Sequence, residues 1–263
     1  MIESTKNAAV KRIARLKQRP EREATGLALL EGPQVVREAV AHAAETIEEL
    51  YFTSTAFERH PELAEAASKA GIDVEFASDA ALAAMADTRT PQGVVAVAHQ
   101  TPVRVRDAID ADTRLVVVLD EVRDPGNAGA IIRAADAAGA DAVILTGSSV
   151  DAYNPKVVRA TTGSLFHLRI STGATLQAAA DAVRDAGLDL LAADMHGEPL
   201  PGVDLSGRTA WLFGNEAHGL SGEARALASR TVAVPIYGAA ESLNLATAAS
   251  VCLYASAFAH RAG

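Results

Sequence analysis

Cysteine is nearly absent: Cys252 is the one thiol in 263 residues. No internal disulfide and no thiolate metal cluster can form, which suits a reducing, cytoplasmic compartment. The seven histidines show no metal-ligand spacing, so no metal is expected, and His167 and His218 read as structural. Long apolar runs are also missing. Leu243–Ala259 contains Asn244, Thr247 and Ser250 and reads as a buried helix rather than a membrane span. The opening MIESTKNAAVKRIARLKQR is charged and lacks the apolar region of a secretory signal. A soluble chain with no membrane partner is expected. Aromatic residues make up 4%; with alanine abundant, the core should be helix-rich and tightly packed. Positive charge is in deficit, and a net charge of −9 argues against bulk affinity for nucleic acid. Residues 1–22 depart from this, with seven basic residues against two acidic ones, a local charge of +5. That segment is either one local anionic contact or a solvated helix. No G-x-S-x-G elbow and no Walker loop occurs.

What is present is an alternation of strand and helix patterns. The length allows one large or two small domains, and 49% hydrophobic residues are ample for a core. Helical spacing from Lys6 to Gln18 puts Val10, Ile13 and Leu16 on one face. A short strand, Gly26–Gly32, is followed by Pro33 where a helix can start, with Val35, Val36, Ala39 and Val40 facing inward. Strands at Glu48–Thr53, Ile72–Phe76 and Val94–Ala98 alternate with helices at Pro61–Ala70, closed by Gly71, and Ala80–Ala86. Residues 1–103 thus form a small α/β domain, and 104–113 read as a linker. From 114 to 263 the pattern restarts with a buried strand, Leu115–Asp120. A helix over Ala128–Ala138, a strand Asp141–Leu145, a helix Pro155–Thr162 and a strand Phe166–Ile170 follow. Then come helix Leu176–Asp185, strands Leu188–Ala192, Ala210–Phe213 and Thr231–Val234, and a last helix from about Leu243. This order implies a mostly parallel sheet covered on both faces. Ligands bind such sheets at the carboxyl ends of the strands.

Three loop–helix junctions could carry chemistry there. In Asn127-x-Gly129-x-x-x-Arg133, Asn127 is suited by type to N-cap a helix. Arg133, leaning back toward Gly129, would place a guanidinium beside a helix N-terminus, a favourable place for an anion. The plainer reading is a capped helix with a surface arginine. A dinucleotide fold would want G-x-G-x-x-G, and GNAGAI after an overlong loop falls short of it. The second junction is Gly214-Asn215-Glu216-x-x-Gly219, directly after an apolar strand, where glycine lets backbone approach a ligand closely; it could equally be a turn. In the third, Ser242-Leu243-Asn244-Leu245-Ala246, Ser242 is an N-cap by type. Asn244 falls in the first turn of an apolar helix, where a buried amide needs partners. Lys156 and Arg159 on one side of a helix start could meet a phosphate or simply belong to an amphipathic helix.

These three junctions, in this order, resemble the SpoU (TrmH) branch of the SPOUT RNA methyltransferases. The matching residues are Asn127, Gly129 and Arg133; Gly214, Glu216 and Gly219; and Pro235, Ser242, Leu243, Asn244 and Ala246. LLEGPQVVREAV, TRTPQGVVAV and NPKVVRATTGSLFHL are similar to members that modify ribosomal RNA and carry a ribosomal-protein-like RNA-binding domain before the catalytic one. The resemblance implies S-adenosylmethionine as methyl donor, a ribose 2′-hydroxyl of RNA as acceptor, most of all in 23S ribosomal RNA, a homodimer, and a deep trefoil knot in the C-terminal α/β domain. It points to Gly214, Val234, Ile236 and Leu243 as the cofactor pocket. Arg133 and Asn127 would handle the acceptor, with Glu216, Ser242 and Asn244 closing the site. The family's arginine is often taken as the base. A guanidinium that stays protonated at any working pH suits a phosphate clamp better. A transfer-RNA ribose methyltransferase and a non-catalytic ribosome-associated RNA-binding protein are the alternatives.

Overall fold

The computed structural model describes residues Met1–Ala262. It comprises two compact units, the first made of Met1–Thr101 with Tyr153–His167, the second of Pro102–Ala152 with the chain from Leu168 onward.

The first unit begins with α1 (Ala8–Arg15) and α2 (Arg19–Thr25), then β1 (Leu27–Glu31), α3 (Pro33–His42) and β2 (Ile47–Phe52). It continues through α4 (Ser54–Arg59), α5 (Pro61–Lys69), β3 (Val74–Phe76), α6 (Asp79–Met85) and β4 (Val94–His99). The sheet order is β1-β4-β2-β3, antiparallel except for the β2–β3 pair. Asn7 caps α1 through the Ala9 amide, and Val10, Ile13 and Leu16 are buried as the helical spacing predicts. The basic opening is largely occupied by its own unit. Arg12 binds Glu49, Arg15 binds Glu21 and Arg19 binds Glu23. The buried Arg22 donates to the Leu16 carbonyl and Lys17 to that of Ala84. Most of the local +5 therefore lies on a solvated face whose arginines are paired within their own unit, with Arg22 alone buried among them. Helices α2 and α4 have no counterpart in the sequence reading, being too short to show an apolar period.

The second unit opens with β5 (Leu115–Asp120), α7 (Pro125–Ala138) and β6 (Ala142–Thr146); α8 (Pro155–Thr161) then joins the first unit. β7 (Arg169–Ala174), α9 (Leu176–Asp185), β8 (Asp189–Pro199), β9 (Thr209–Phe213), α10 (Gly222–Leu227), β10 (Arg230–Ala233) and α11 (Leu245–Ala262) complete it. Phe166 was expected to open a strand. It lies instead in a tight 3-10 turn, Ser164–Phe166, after two left-handed residues, Thr162 and Gly163, and the strand starts at Arg169. All pairs in the six-stranded sheet are parallel, in the order β10-β8-β9-β5-β6-β7. The chain runs outward from β5 through β6 and β7, then crosses back beyond β9, so the order reverses between β5 and β9. That is the switch point at which open parallel sheets form a crevice. Strand β9 is wholly buried. Trp211 in it donates its indole N–H to Ser256 of α11 at 2.9 Å.

Candidate active site

The crevice at the switch point is real: a cavity of about 810 Å³ lies between Asp120–Pro125 after β5 and Asn215–Ser221 after β9. Glu121, the first residue past β5, has φ +57°, a left-handed conformation that costs a non-glycine residue of order 1–3 kcal/mol unless its surroundings hold it. They do. Its carbonyl accepts from the Asn215 amide at 2.8 Å, and its carboxylate from the Ser148 N–H at 2.9 Å and from Arg123 at 2.8 Å.

Asn127 is not the N-cap of α7. Asp124 is, its side chain accepting from the Asn127 N–H at 2.7 Å, and Pro125 fills the first helical position. The cap therefore sits three residues earlier than expected. This frees the Asn127 side chain, whose amide donates to Glu216 at 3.3 Å and whose oxygen accepts from the Asn244 amide at 3.0 Å. Asn244 in turn is not buried in the first turn of α11. It is exposed and caps that helix, accepting from the Ala246 and Thr247 N–H groups at 2.9 and 3.3 Å. Glu216 accepts from the backbone N–H groups of Arg123 and Asp124 at 3.2 and 3.0 Å. Burial alone would raise its pKa. Those backbone donors and Asn127 outweigh that and hold the carboxyl below its ordinary value. The anion at the start of α7 is thus the protein's own carboxylate.

One hydrogen-bonded chain, Glu216–Asn127–Asn244, joins the three junctions across some hundred residues of sequence. Gly214 has a reason within its own loop. A Cβ there would lie 2.6 Å from the Gly219 backbone and 2.7 Å from the Leu220 nitrogen. What approaches it closely is the returning strand of its own loop, closed by the Asn215–Gly219 bridge. Arg133 is exposed on α7 and makes no hydrogen bond to Asn127, Glu216 or Asn244, so its guanidinium is not committed to bracing the loops.

A second, smaller cavity of about 140 Å³ lies at the ends of β9 and β10, against Ala193–Met195 in the middle of β8. Val234, Ile236, Leu243 and Ser242 line it together with Phe213; Gly214 does not. Asp194 also lines it, a residue the sequence reading passed over. Its carboxylate is held by Arg225 at 3.0 Å and by the His196 N–H at 3.0 Å. Asp124, Glu121 and Asn215 were likewise passed over. Asp124 alone had a legible signal, an Asp–Pro pair at a helix start.

Residues 114–254 match the model of the SpoU rRNA Methylase family, and residues 7–96 that of the MRM3-like substrate binding domain. The chain is 35% identical to the 23S rRNA (guanosine(2553)-2′-O)-methyltransferase RlmP of Bacillus subtilis, over 96% of this chain and 97% of that one. Among solved structures it is similar to an AdoMet-bound rRNA methyltransferase from Sinorhizobium meliloti, with TM-score 0.85 and 32% identity over 97% and 96% of the two chains. It is also similar to the SpoU methyltransferase AviRb from Streptomyces viridochromogenes in complex with AdoMet, with TM-score 0.85 and 31% identity over 98% and 100%. With one family model spanning more than half of the chain and a relative matched over nearly its whole length, this chain belongs to the SpoU rRNA methylase family.

Proposed function

We propose that this chain is an S-adenosylmethionine-dependent RNA methyltransferase that modifies a ribose 2′-hydroxyl of 23S ribosomal RNA. The observation that carries this reading is the convergence of Glu216, Asn127 and Asn244 at the switch point, next to a separate apolar cavity. The residues present fit the cofactor. Val234, Ile236 and Leu243 give apolar walls, and Asp194 and the loop backbone give polar edges. When bound, the cofactor supplies an electrophilic methyl group. The chain's part is to bring a ribose hydroxyl in line with it, a positional task that accounts for much of the rate in such reactions. Glu216, Asn127 and Asn244 position the loops; Ser242 lines the apolar cavity, and Gly214 lets the Glu216 loop close on itself. Arg133, exposed and uncommitted, clamps the neighbouring phosphate with its planar fork and stabilises charge developing on the acceptor oxygen. Glu216 and Glu121 both have lowered pKa values, which suits acceptors of hydrogen bonds and makes each a weak base.

In this reading residues 1–103 bind the RNA, 104–113 connect, and 114–263 perform the chemistry in a knotted fold, in the cytoplasm. Among the described residues no helix is long and apolar enough to cross a membrane. A homodimer fits the exposed apolar strip of α11, where Val251, Tyr254 and Phe258 are 40%, 39% and 67% exposed. Phe258→Glu should then shift the sedimentation coefficient to that of a single chain.

The test is transfer of radiolabel from S-adenosylmethionine to unmodified ribosomal RNA and, separately, transfer RNA. Label in 23S RNA that is lost with Arg133→Ala supports the reading. Label confined to transfer RNA reassigns the substrate. No label with either RNA and no cofactor binding makes the protein a non-catalytic RNA binder. Arg133→Lys keeps the charge but loses the fork, and turnover should fall about a hundredfold; near-normal turnover would remove the clamp.

A further inference from the structure

The first unit carries a cluster that the methyl-transfer chemistry does not use. Glu38 and His42 are four residues apart on α3, hence on the same face, and His167 follows the 3-10 turn Ser164–Phe166. One carboxylate oxygen, Glu38 Oε2, faces both imidazoles. It lies 3.7 Å from His42 Nε2 and 3.3 Å from His167 Nε2. Each of the three residues offers a ligand atom, all within 4.8 Å of one another. A tetrahedral ion with bonds of about 2.0–2.1 Å keeps its ligand atoms about 3.3–3.4 Å apart. The His167 separation of 3.3 Å matches that, and the His42 separation of 3.7 Å is somewhat longer.

The surroundings hold these groups in place. The other oxygen of Glu38 accepts from the Gln34 amide at 2.8 Å, and the Gln34 oxygen accepts from Arg37 at 2.9 Å. This outer chain fixes which oxygen faces the histidines, as the second layer of a metal site does. The chain that delivers His167 presses on the stem of Glu38. A Cβ on Gly163, which has φ +108°, would sit 2.2 Å from Glu38 Cγ, so only glycine lets the turn come this near. The rings of His42 and His167 meet edge to face with centroids 4.4 Å apart. His42 is half exposed, free to rotate the remaining distance, and solvent can reach a fourth position.

We infer that Glu38, His42 and His167 form a binding site for a divalent transition-metal ion, fastening the Tyr153–His167 segment to α3. Two imidazoles and one carboxylate select zinc, cobalt or nickel over magnesium or calcium, which prefer all-oxygen shells. The sequence hides the site because His167 stands 125 residues beyond His42; the histidines have no ligand spacing until the fold supplies it.

The test uses the full-length, untagged chain titrated with Co²⁺, followed by visible absorption and by calorimetry, with Zn²⁺ as competitor. The expected result is one saturable Co²⁺ per chain with the d–d bands of a four-coordinate ion, displaced by Zn²⁺. His167→Ala and His42→Ala should each weaken binding by at least about tenfold. Glu38→Gln, which keeps the shape but not the charge, should also weaken it. His99→Ala, an exposed histidine on β4 outside the cluster, should bind as the native chain does. Circular dichroism of the metal-free variants shows whether they are folded. No saturable binding by the native chain would overturn the site, as would binding by folded His167→Ala equal to the native.

Discussion

Strands β1 and β5 each end an unbroken apolar run in a carboxylate, Glu31 in one unit and Asp120 in the other, and the chain uses the two differently. Glu31 is 4% exposed and saturated. It accepts from the Asp87 N–H at 2.9 Å, the Thr88 N–H at 3.2 Å, the Thr88 hydroxyl, and Arg159 of α8 at 3.3 Å. Arg159 also binds Asp87 at 3.0 Å; it stands in the last turn of α8 rather than at a helix start, and its role is structural. Asp120 accepts one hydrogen bond, from the Thr146 hydroxyl at 2.7 Å, and the next residue turns left-handed along an 810 Å³ cavity. A charge whose every partner is supplied from within has nothing left for a ligand. A strand end at a switch point keeps loops that are braced only to each other.

The contrast can be broken most directly by Glu31→Ala. Two backbone donors and Arg159 would lose their acceptor in a closed site, at about 3 kcal/mol, the low end because Arg159 is partly exposed. Asp120→Asn, which keeps an acceptor for Thr146, should cost less than about 1 kcal/mol. Urea unfolding of both variants decides; equal losses would mean that the two strand ends are equivalent. Next in size is Gly214→Ala. Its new methyl group would meet the Gly219 backbone at 2.6 Å, shift the loop that carries Glu216, and lower methyl transfer about a hundredfold through misplacement. Circular dichroism should stay native-like, and unchanged turnover would show that the loop adapts freely.

Glu216→Gln sharpens the comparison through pH. The folded-state pKa of Glu216 is held below its ordinary value of 4.5, so its charge favours the folded state at pH above that value. That contribution is lost as pH falls through the lowered folded value. The stability gap between native and Glu216→Gln should therefore be constant near neutrality and close below about pH 4.5, the ordinary value. A gap that persists to strong acid would remove the charged brace. A smaller loss than that of Glu31→Ala is expected from Ser256→Ala, which leaves the buried Trp211 N–H without its acceptor at about 1–2 kcal/mol, seen as a lower melting temperature of the second unit.

Much of this was legible in the sequence, for reasons particular elements make plain. Leu176–Asp185 and Leu115–Asp120 were placed to the residue, the first by a helical apolar period and the second by an unbroken apolar run, each with unambiguous ends. The three junctions were found by residue type and order. Their wiring was not. That Asn127 links Glu216 to Asn244 depends on loops from positions 127, 216 and 244 meeting in space, which no local pattern encodes. The cap of α7 was misplaced because Asn127 competes by type with Asp124, and Pro125 decides in favour of the latter. Short α4 and α10 escaped for lack of a full apolar period, and the passage of Tyr153–His167 into the first unit is a long-range choice made by Glu31 and Glu38.

The Trp211–Ser256 pair has an optical consequence. The chain has one tryptophan, it is fully buried in β9, and Phe213, two residues on, lines the small apolar cavity. Indole emission from this protein therefore originates in the second unit alone. A fluorescence melt is blind to the first unit, whereas circular dichroism reports both, and any lag between the two curves measures how independently the halves unfold.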